Sequence, residues 1–183
     1  MALAQDLEIL AERTAPEAFE SFAKHLSPAW IEEVLQVTGT ATIRKRRLPA
    51  EQVVWLVIGM AFFVMRSMKE VVSSLDLALP GRKEVAPSAI TQARGRLGEE
   101  PVAHLFRNTG AVWSGRSADA HRWRGLALYG VDGTTTRVAD SPENRKEFGG
   151  QSEKAKRGAS GYPLVRLLAL MVLRSHIVRN AKI

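Results

Sequence analysis

The sequence predicts an α+β chain, an all-helical N-terminal part followed by a short group of strands. Three observations predict it. Up to about residue 113, apolar residues recur at three- and four-residue spacing between helix start and stop signals. From Leu126 onward they come instead in short continuous runs rich in branched residues. Between the two, Ser114 to Gly125 is a polar mix of Gly, Ser, Ala, His and Arg that reads as a boundary. Domains over residues 1–114 and 126–183 are therefore expected.

The helices follow in order. Thr14-Ala-Pro-Glu17 has the pattern of a capping box, in which the Thr oxygen caps an early N–H and Glu17 reaches back; Ala18, Phe19, Phe22, Ala23 and Leu26 then fall at helical spacing. Ser27-Pro28 opens a second helix with the stripe Trp30, Ile31, Val34 and Leu35, and Gly39 lies just past its end. Residues 40–47 read as a linker ending in Arg44-Lys45-Arg46-Arg47, and Leu48-Pro49 marks a break before a long apolar helix from about Ala50 to Met65. Ser67-Met-Lys-Glu70 is a second capping-box pattern, opening a helix with Val71, Val72, Leu75 and Leu77 on its apolar side. Pro80-Gly81 is a turn signal. Ser88 is the expected N-cap of a helix ending at Gly98, and this helix with the one before it fits a helix-turn-helix with a long connector. Glu99 to Trp113 reads as one more helix, with Val102, Leu105, Phe106 and Val112 inside.

In the second part, Leu126–Val131 suits a buried strand, and Thr134–Val138 is either its continuation or a hairpin return. Asp140 to Tyr162 lacks periodicity and reads as an exposed loop. Leu164–Leu173 and His176–Ile183 read as two strands joined near Arg174-Ser175, although Leu167–Leu173 alone also suits a helix. With no later strand to cover it, Leu164 to Ile183 is expected to leave an apolar edge that invites association.

A chain of 183 residues, 45 % hydrophobic, can build one good-sized core or two small ones, which excludes global disorder. It has no cysteine, so disulfides and thiolate metal sites are excluded and any metal must be held by oxygen or histidine. The N-terminus lacks a basic stretch followed by an apolar one, and the longest apolar run, Val53 to Met65, falls short of the roughly 20 residues a membrane span needs. No membrane association and a cytoplasmic location are expected. The net charge of +7 sits entirely in residues 116–183, which hold 13 Lys/Arg against 6 Asp/Glu. Residues 41–115 are also basic, with 11 bases against 6 acids, balanced by an acidic first 40 residues. Such asymmetry fits a polyanion partner as well as it fits ordinary solvated surface.

The most informative segment is Gly130-Val-Asp-Gly-Thr-Thr-Thr-Arg-Val-Ala-Asp140. An apolar run delivers Asp132 to its end, and a glycine with three threonines is expected to turn the chain there. A carboxylate at the lip of a strand can ligate a divalent metal; read locally, an Asp-Gly hairpin turn is the stronger alternative. Asp140 offers a further carboxylate, but Asp-Ser-Pro is an ordinary turn opener. Arg44–Arg47 can grip phosphates and can equally be a solvated helix flank. Thr91, Gln92, Arg94 and Arg96 can enter a groove, with Gln suited to adenine and Arg to guanine, but at helical spacing not all four can reach bases. His104, His121 and His176 have no ligand spacing, and Trp30, Trp55 and Trp113 fall on apolar faces suited to a core.

Taken together, the segment 130–140, the following Pro142-Glu-Asn144 and Phe148-Gly149, Gly161-Tyr-Pro163 leading into Val165-Arg166-Leu167, and upstream Arg46-Arg-Leu-Pro49 and Ser88–Leu97 resemble the insertion-sequence-4-type DDE transposases. The resemblance covers roughly residues 15 to 183 in the family's order. It implies a helical N-terminal domain that binds double-stranded DNA at transposon ends, then the start of an RNase H-like catalytic domain. It further implies two magnesium ions held by two aspartates and a glutamate, with Asp132 matching the first aspartate as catalytic residue and metal ligand. The family's second aspartate, its glutamate and its Tyr/Arg/Glu signature lie further downstream and have no counterpart in this sequence. The expected function is therefore that of a transposase fragment, whose ancestral chemistry is strand cleavage and transfer in DNA transposition but which binds magnesium weakly by itself. Alternatives are a non-catalytic DNA-binding fragment that pairs with full-length transposase or self-associates to inhibit it, and the decayed product of a pseudogene.

Overall fold

The structure is a computed structural model that describes residues 16–41, 48–77, 85–149 and 161–183. Thr14, Arg44–Arg47, Pro80-Gly81 and residues 150–160 of the expected loop lie outside the described residues. The chain divides into two compact units, Met1–Leu105 and Phe106–Ile183.

In the first unit the helices begin where the start signals stand. These are α1 (Pro16–Ala23), α2 (Pro28–Val37), α3 (Ala50–Phe62), α4 (Met68–Ser74) and α5 (Pro87–Leu97), followed by the start of α6 (Glu100–Ala120). The capping box of α4 is complete: the Ser67 N–H donates to Glu70 Oε2 at 2.7 Å, and the Glu70 N–H donates to Ser67 Oγ at 3.3 Å. Helix α3 is apolar nearly all round because α1, α2, α4 and α5 all pack against it. Their buried stripes supply the core: Ile31, Val34 and Leu35 of α2, Val53, Val54 and Leu56 of α3, Val71 and Val72 of α4, and Ile90, Ala93 and Leu97 of α5. Phe19 stands at its aromatic end, edge-on to Trp55 and Phe62 with ring centroids 5.8 and 5.7 Å away. At Gly59 the α3 backbone approaches α4 so closely that an added Cβ would lie 2.6 Å from Leu75 Cδ1.

Three element boundaries differ from the sequence expectation. Helix α3 ends at Phe62 rather than Met65, and Met65 is 84 % exposed, because the chain must turn out to reach the Ser67 cap. Helix α5 starts at Pro87 with Ala86 as N-cap, so Ser88 lies within the first turn and does not cap it. Helix α6 continues through the polar stretch taken as a boundary, to Ala120. From Thr109 onward its buried face is built of small residues, Thr109, Gly110, Ser114 and Ala118, which carry no apolar periodicity.

The second unit adds β1 (Tyr129–Arg137), α7 (Pro142–Phe148), β2 (Leu164–Val172) and β3 (Val178–Lys182) to the remainder of α6. The strands form one antiparallel sheet in the order β1-β2-β3. The two C-terminal strands are as expected, which removes the helical alternative for Leu167–Leu173. Of the segment expected to form an apolar edge, β2 is the central strand, paired on both sides, while β3 is an edge strand of the sheet. The exposed apolar groups lie on a face instead, where Val131 is 72 % and Leu168 54 % exposed on neighbouring strands. Asp140 to Tyr162 is not all loop, since α7 lies within it. Ser141 caps that helix by accepting the Asn144 N–H at 3.2 Å, Pro142 follows, and Gly149 closes it at φ +70°.

Candidate nucleic-acid interface and carboxylate site

The α5 surface follows from its core stripe. Ile90, Ala93 and Leu97 are buried at three- and four-residue spacing, which turns Thr91, Gln92, Arg94 and Arg96 outward; all four are exposed. Thr91 Oγ donates back to the Pro87 carbonyl at 3.2 Å. Arg94 Nη1 reaches across to Met68 Sδ of α4 at 3.1 Å, which ties the α5 surface to the exposed side of α4. At Gly95, on the same outward side, an added Cβ would meet nothing within 4 Å, so the helix backbone itself is approachable. Helices α4 and α5 pack on each other and on α3, as a helix-turn-helix pair requires, although residues 75–86 make the connection long.

Asp132 stands elsewhere than expected. It is not at the end of a strand beside a turn but near the middle of β1, opposite Ala169 of β2. Gly133 and Thr134–Thr136 continue the strand, paired with Leu168, Leu167, Arg166 and Val165. The physical reason is in the residues: three successive β-branched threonines favour extended backbone, and Gly133 is not among the glycines with positive φ, so no turn forms. Asp132 is exposed on an edge strand, and its Oδ1 accepts the Gly133 N–H at 2.8 Å. Across the sheet it is followed by Ala169 and then Ala181, so the row beside the carboxylate carries only methyl groups. On the same face, Leu173 lies over Gly130. Small neighbours leave room for a ligand at the carboxylate. The donor set is nevertheless short of a two-ion site: no group of three or more His, Asp or Glu able to hold a metal occurs among the described residues. Two magnesium ions carry four positive charges, and one carboxylate offsets one of them.

Asp140 is held by an ion pair. Both carboxylate oxygens accept from Arg145 of α7, Oδ2 from Nη2 at 2.8 Å and Oδ1 from Nε. The hydrogen bond from Arg145 keeps the Asp140 carboxyl below its usual range and raises the Arg145 guanidinium in turn. Because the folded value is depressed, this stabilisation is fully present above the ordinary carboxylate pKa and is lost as pH falls through the lowered one. An NMR pH titration should place the Asp140 midpoint below that of an unpaired aspartate, and Arg145→Gln should return it to the ordinary range; a midpoint unmoved by Arg145→Gln would contradict the pairing. The Glu70 and Glu143 carboxyls are lowered likewise, Glu70 by hydrogen bonds from Ser67 and Glu143 by its own backbone N–H and by Ser141. His104 is turned inward, its Nδ1 without a hydrogen-bond partner, as suits a packing role better than ligation. Trp30 and Trp55 pack against the helical core. No described helix is long and apolar enough to cross a membrane.

No solved structure matches the chain. The model of the insertion element 4 transposase N-terminal family matches residues 16–107, the helical elements that carry the α5 surface. The transposase InsG for insertion sequence element IS4 of Escherichia coli K12 is 40 % identical over 162 residues, covering 88 % of this chain and 36 % of that protein. InsZ of the same strain is 38 % identical over 169 residues, covering 91 % of this chain and 54 % of that protein. The chain thus spans between about a third and a little over half the length of these curated relatives. With half of its residues matched by the family model and both relatives aligned well beyond them, the chain belongs to the insertion element 4 transposase family.

Proposed function

We propose that the chain is a DNA-holding transposase piece: residues 1–114 bind double-stranded DNA at transposon ends, and residues 126–183 open an RNase H-like domain in which Asp132 is the first catalytic carboxylate. The observation that carries this reading is the outward face of α5 within the family-matched unit. Four polar side chains suited to DNA stand exposed on a helix whose opposite stripe is buried. Arg44–Arg47, lying outside the described residues, would add phosphate contacts. Phosphate contacts set affinity and salt dependence, whereas Gln92 and Arg94 are the residues able to discriminate bases.

In the complete chemistry of the family, a pair of divalent ions activates the attacking oxygen and stabilises the leaving one. Toward that chemistry this chain contributes an exposed carboxylate beside a row of alanines. The carboxylates that follow Asp132 in the sequence are Asp140, Glu143, Glu147 and Glu153. Asp140 is spent on Arg145, and Glu143 is engaged at the start of α7. Among the described residues no group of three acids or histidines able to hold a metal occurs, which favours a second reading alongside the first: a non-catalytic DNA binder that self-associates or pairs with full-length transposase.

A gel shift of the whole chain on duplex carrying transposon-end sequence tests the binding. Affinity should fall steeply with salt, and Arg94→Gln with Arg96→Gln should weaken the complex by roughly tenfold, on the scale of 1–3 kcal/mol for a lost base contact. Binding that is absent, or that ignores salt and these substitutions, would overturn the reading.

A further inference from the structure

We propose a second DNA contact on the same unit, a phosphate grip on the exposed side of α4 formed by Arg66, Lys69, Ser73 and Ser74; it rests on the reading of α5 as a DNA-facing helix. These four residues and Glu70 line a hollow of about 340 Å³. Lys69 and Ser73, and likewise Glu70 and Ser74, stand one turn apart on α4, and Arg66 precedes the Ser67 cap. Arg66 is placed rather than trailing: its guanidinium lies 5.1 Å from the Phe63 ring centroid, and Nη1 donates to Ser74 Oγ at 2.7 Å. A planar fork fixed in this way suits a tetrahedral oxyanion, and the hydroxyls of Ser73 and Ser74 line the same hollow. Glu70, the one acid among the described residues lining the hollow, is turned to another task, since its Oε2 accepts the Ser67 N–H of the capping box.

The polyanion chosen is DNA because of continuity. Arg94 of α5 donates to Sδ of Met68, the first residue of α4, so the α5 surface reaches the end of α4 at which Arg66 and Lys69 stand. In a helix-turn-helix the first helix crosses the backbone while the second enters the groove. A phosphate in this hollow fixes the register of α5 without reading sequence.

The test uses the whole chain and a short fluorescein-labelled duplex of mixed sequence, with anisotropy followed from roughly 50 to 200 mM salt. Arg66→Gln with Lys69→Gln should lower the slope of log affinity against log salt by about 2, and weaken binding equally on any sequence. Glu70→Gln keeps an oxygen for the Ser67 cap while removing a negative charge, and should tighten binding a few-fold with the fold intact. A merely structural role for these residues would not produce opposite shifts from the two changes. If wild type binds and Arg94→Gln weakens it while slope and affinity ignore both α4 changes, the grip is wrong and the α5 reading stands. If wild type shows no salt-dependent binding, both fall.

Discussion

Gly110→Ala and Gly115→Ala, five positions apart on α6, are expected to move stability in opposite directions. At Gly110 the helix lies against β3, where an added Cβ would stand 2.7 Å from the Arg179 carbonyl oxygen and 3.1 Å from that of Val178. Those are backbone atoms of a paired strand and cannot swing aside as a side chain does. At Gly115 nothing lies within 4 Å of the same added atom. Both substitutions gain helix propensity, about 1 kcal/mol each. That shared gain cancels in the comparison, and the difference between the variants is the steric cost at β3, about 1–3 kcal/mol. Gly110→Val puts a branch into the same gap and should unseat α6 from the sheet altogether. Thermal melts followed by circular dichroism check this: Gly115→Ala should melt above wild type and Gly110→Ala below it. Equal melting temperatures would mean that α6 does not rest on β3 at Gly110.

The second large effect is at Ile90. Its side chain is fully buried on the inward face of α5, one residue from exposed Thr91. Ile90→Ala removes buried methyl groups and leaves a cavity in a core of rigid helices, costing about 2–5 kcal/mol. Thr91→Ala removes one exposed hydroxyl and should stay within about 0.5 kcal/mol. The pair separates mounting from contact. Ile90→Ala should lose both stability and DNA affinity near its melting range, whereas Thr91→Ala should retain the wild-type melt. A melting temperature unchanged in Ile90→Ala would show that α5 is not anchored on α3 as described.

The helical unit was legible because its signals are local and redundant. Ser67-Met-Lys-Glu70 announces both hydrogen bonds that form, and the stripes read for α2 and α4 supply the buried Ile31, Val34, Leu35, Val71, Val72 and Leu77. What escaped was carried by small or contextual residues. The end of α6 packs through Thr109, Gly110, Ser114 and Ala118, whose burial no hydropathy pattern announces. Helix α7 is short and exposed, with no buried stripe, but Ser141-Pro142 at its start and Gly149 at its end were readable as caps. At Asp132 the Asp-Gly pair suggested a turn, and the β preference of three threonines together with a full partner strand prevailed. The residue was identified by resemblance to the family; its position in mid-strand came only from the fold.

The most direct measurement incubates the purified chain with duplex DNA bearing transposon ends, with magnesium or manganese present, and reads binding and strand cleavage in the same samples. The predicted result is DNA that is bound, released by salt, and uncut, with Asp132→Ala indistinguishable from wild type. A cleavage product that forms with wild type and vanishes with Asp132→Ala would contradict it, because the carboxylate would then have found partners enough to complete a metal site.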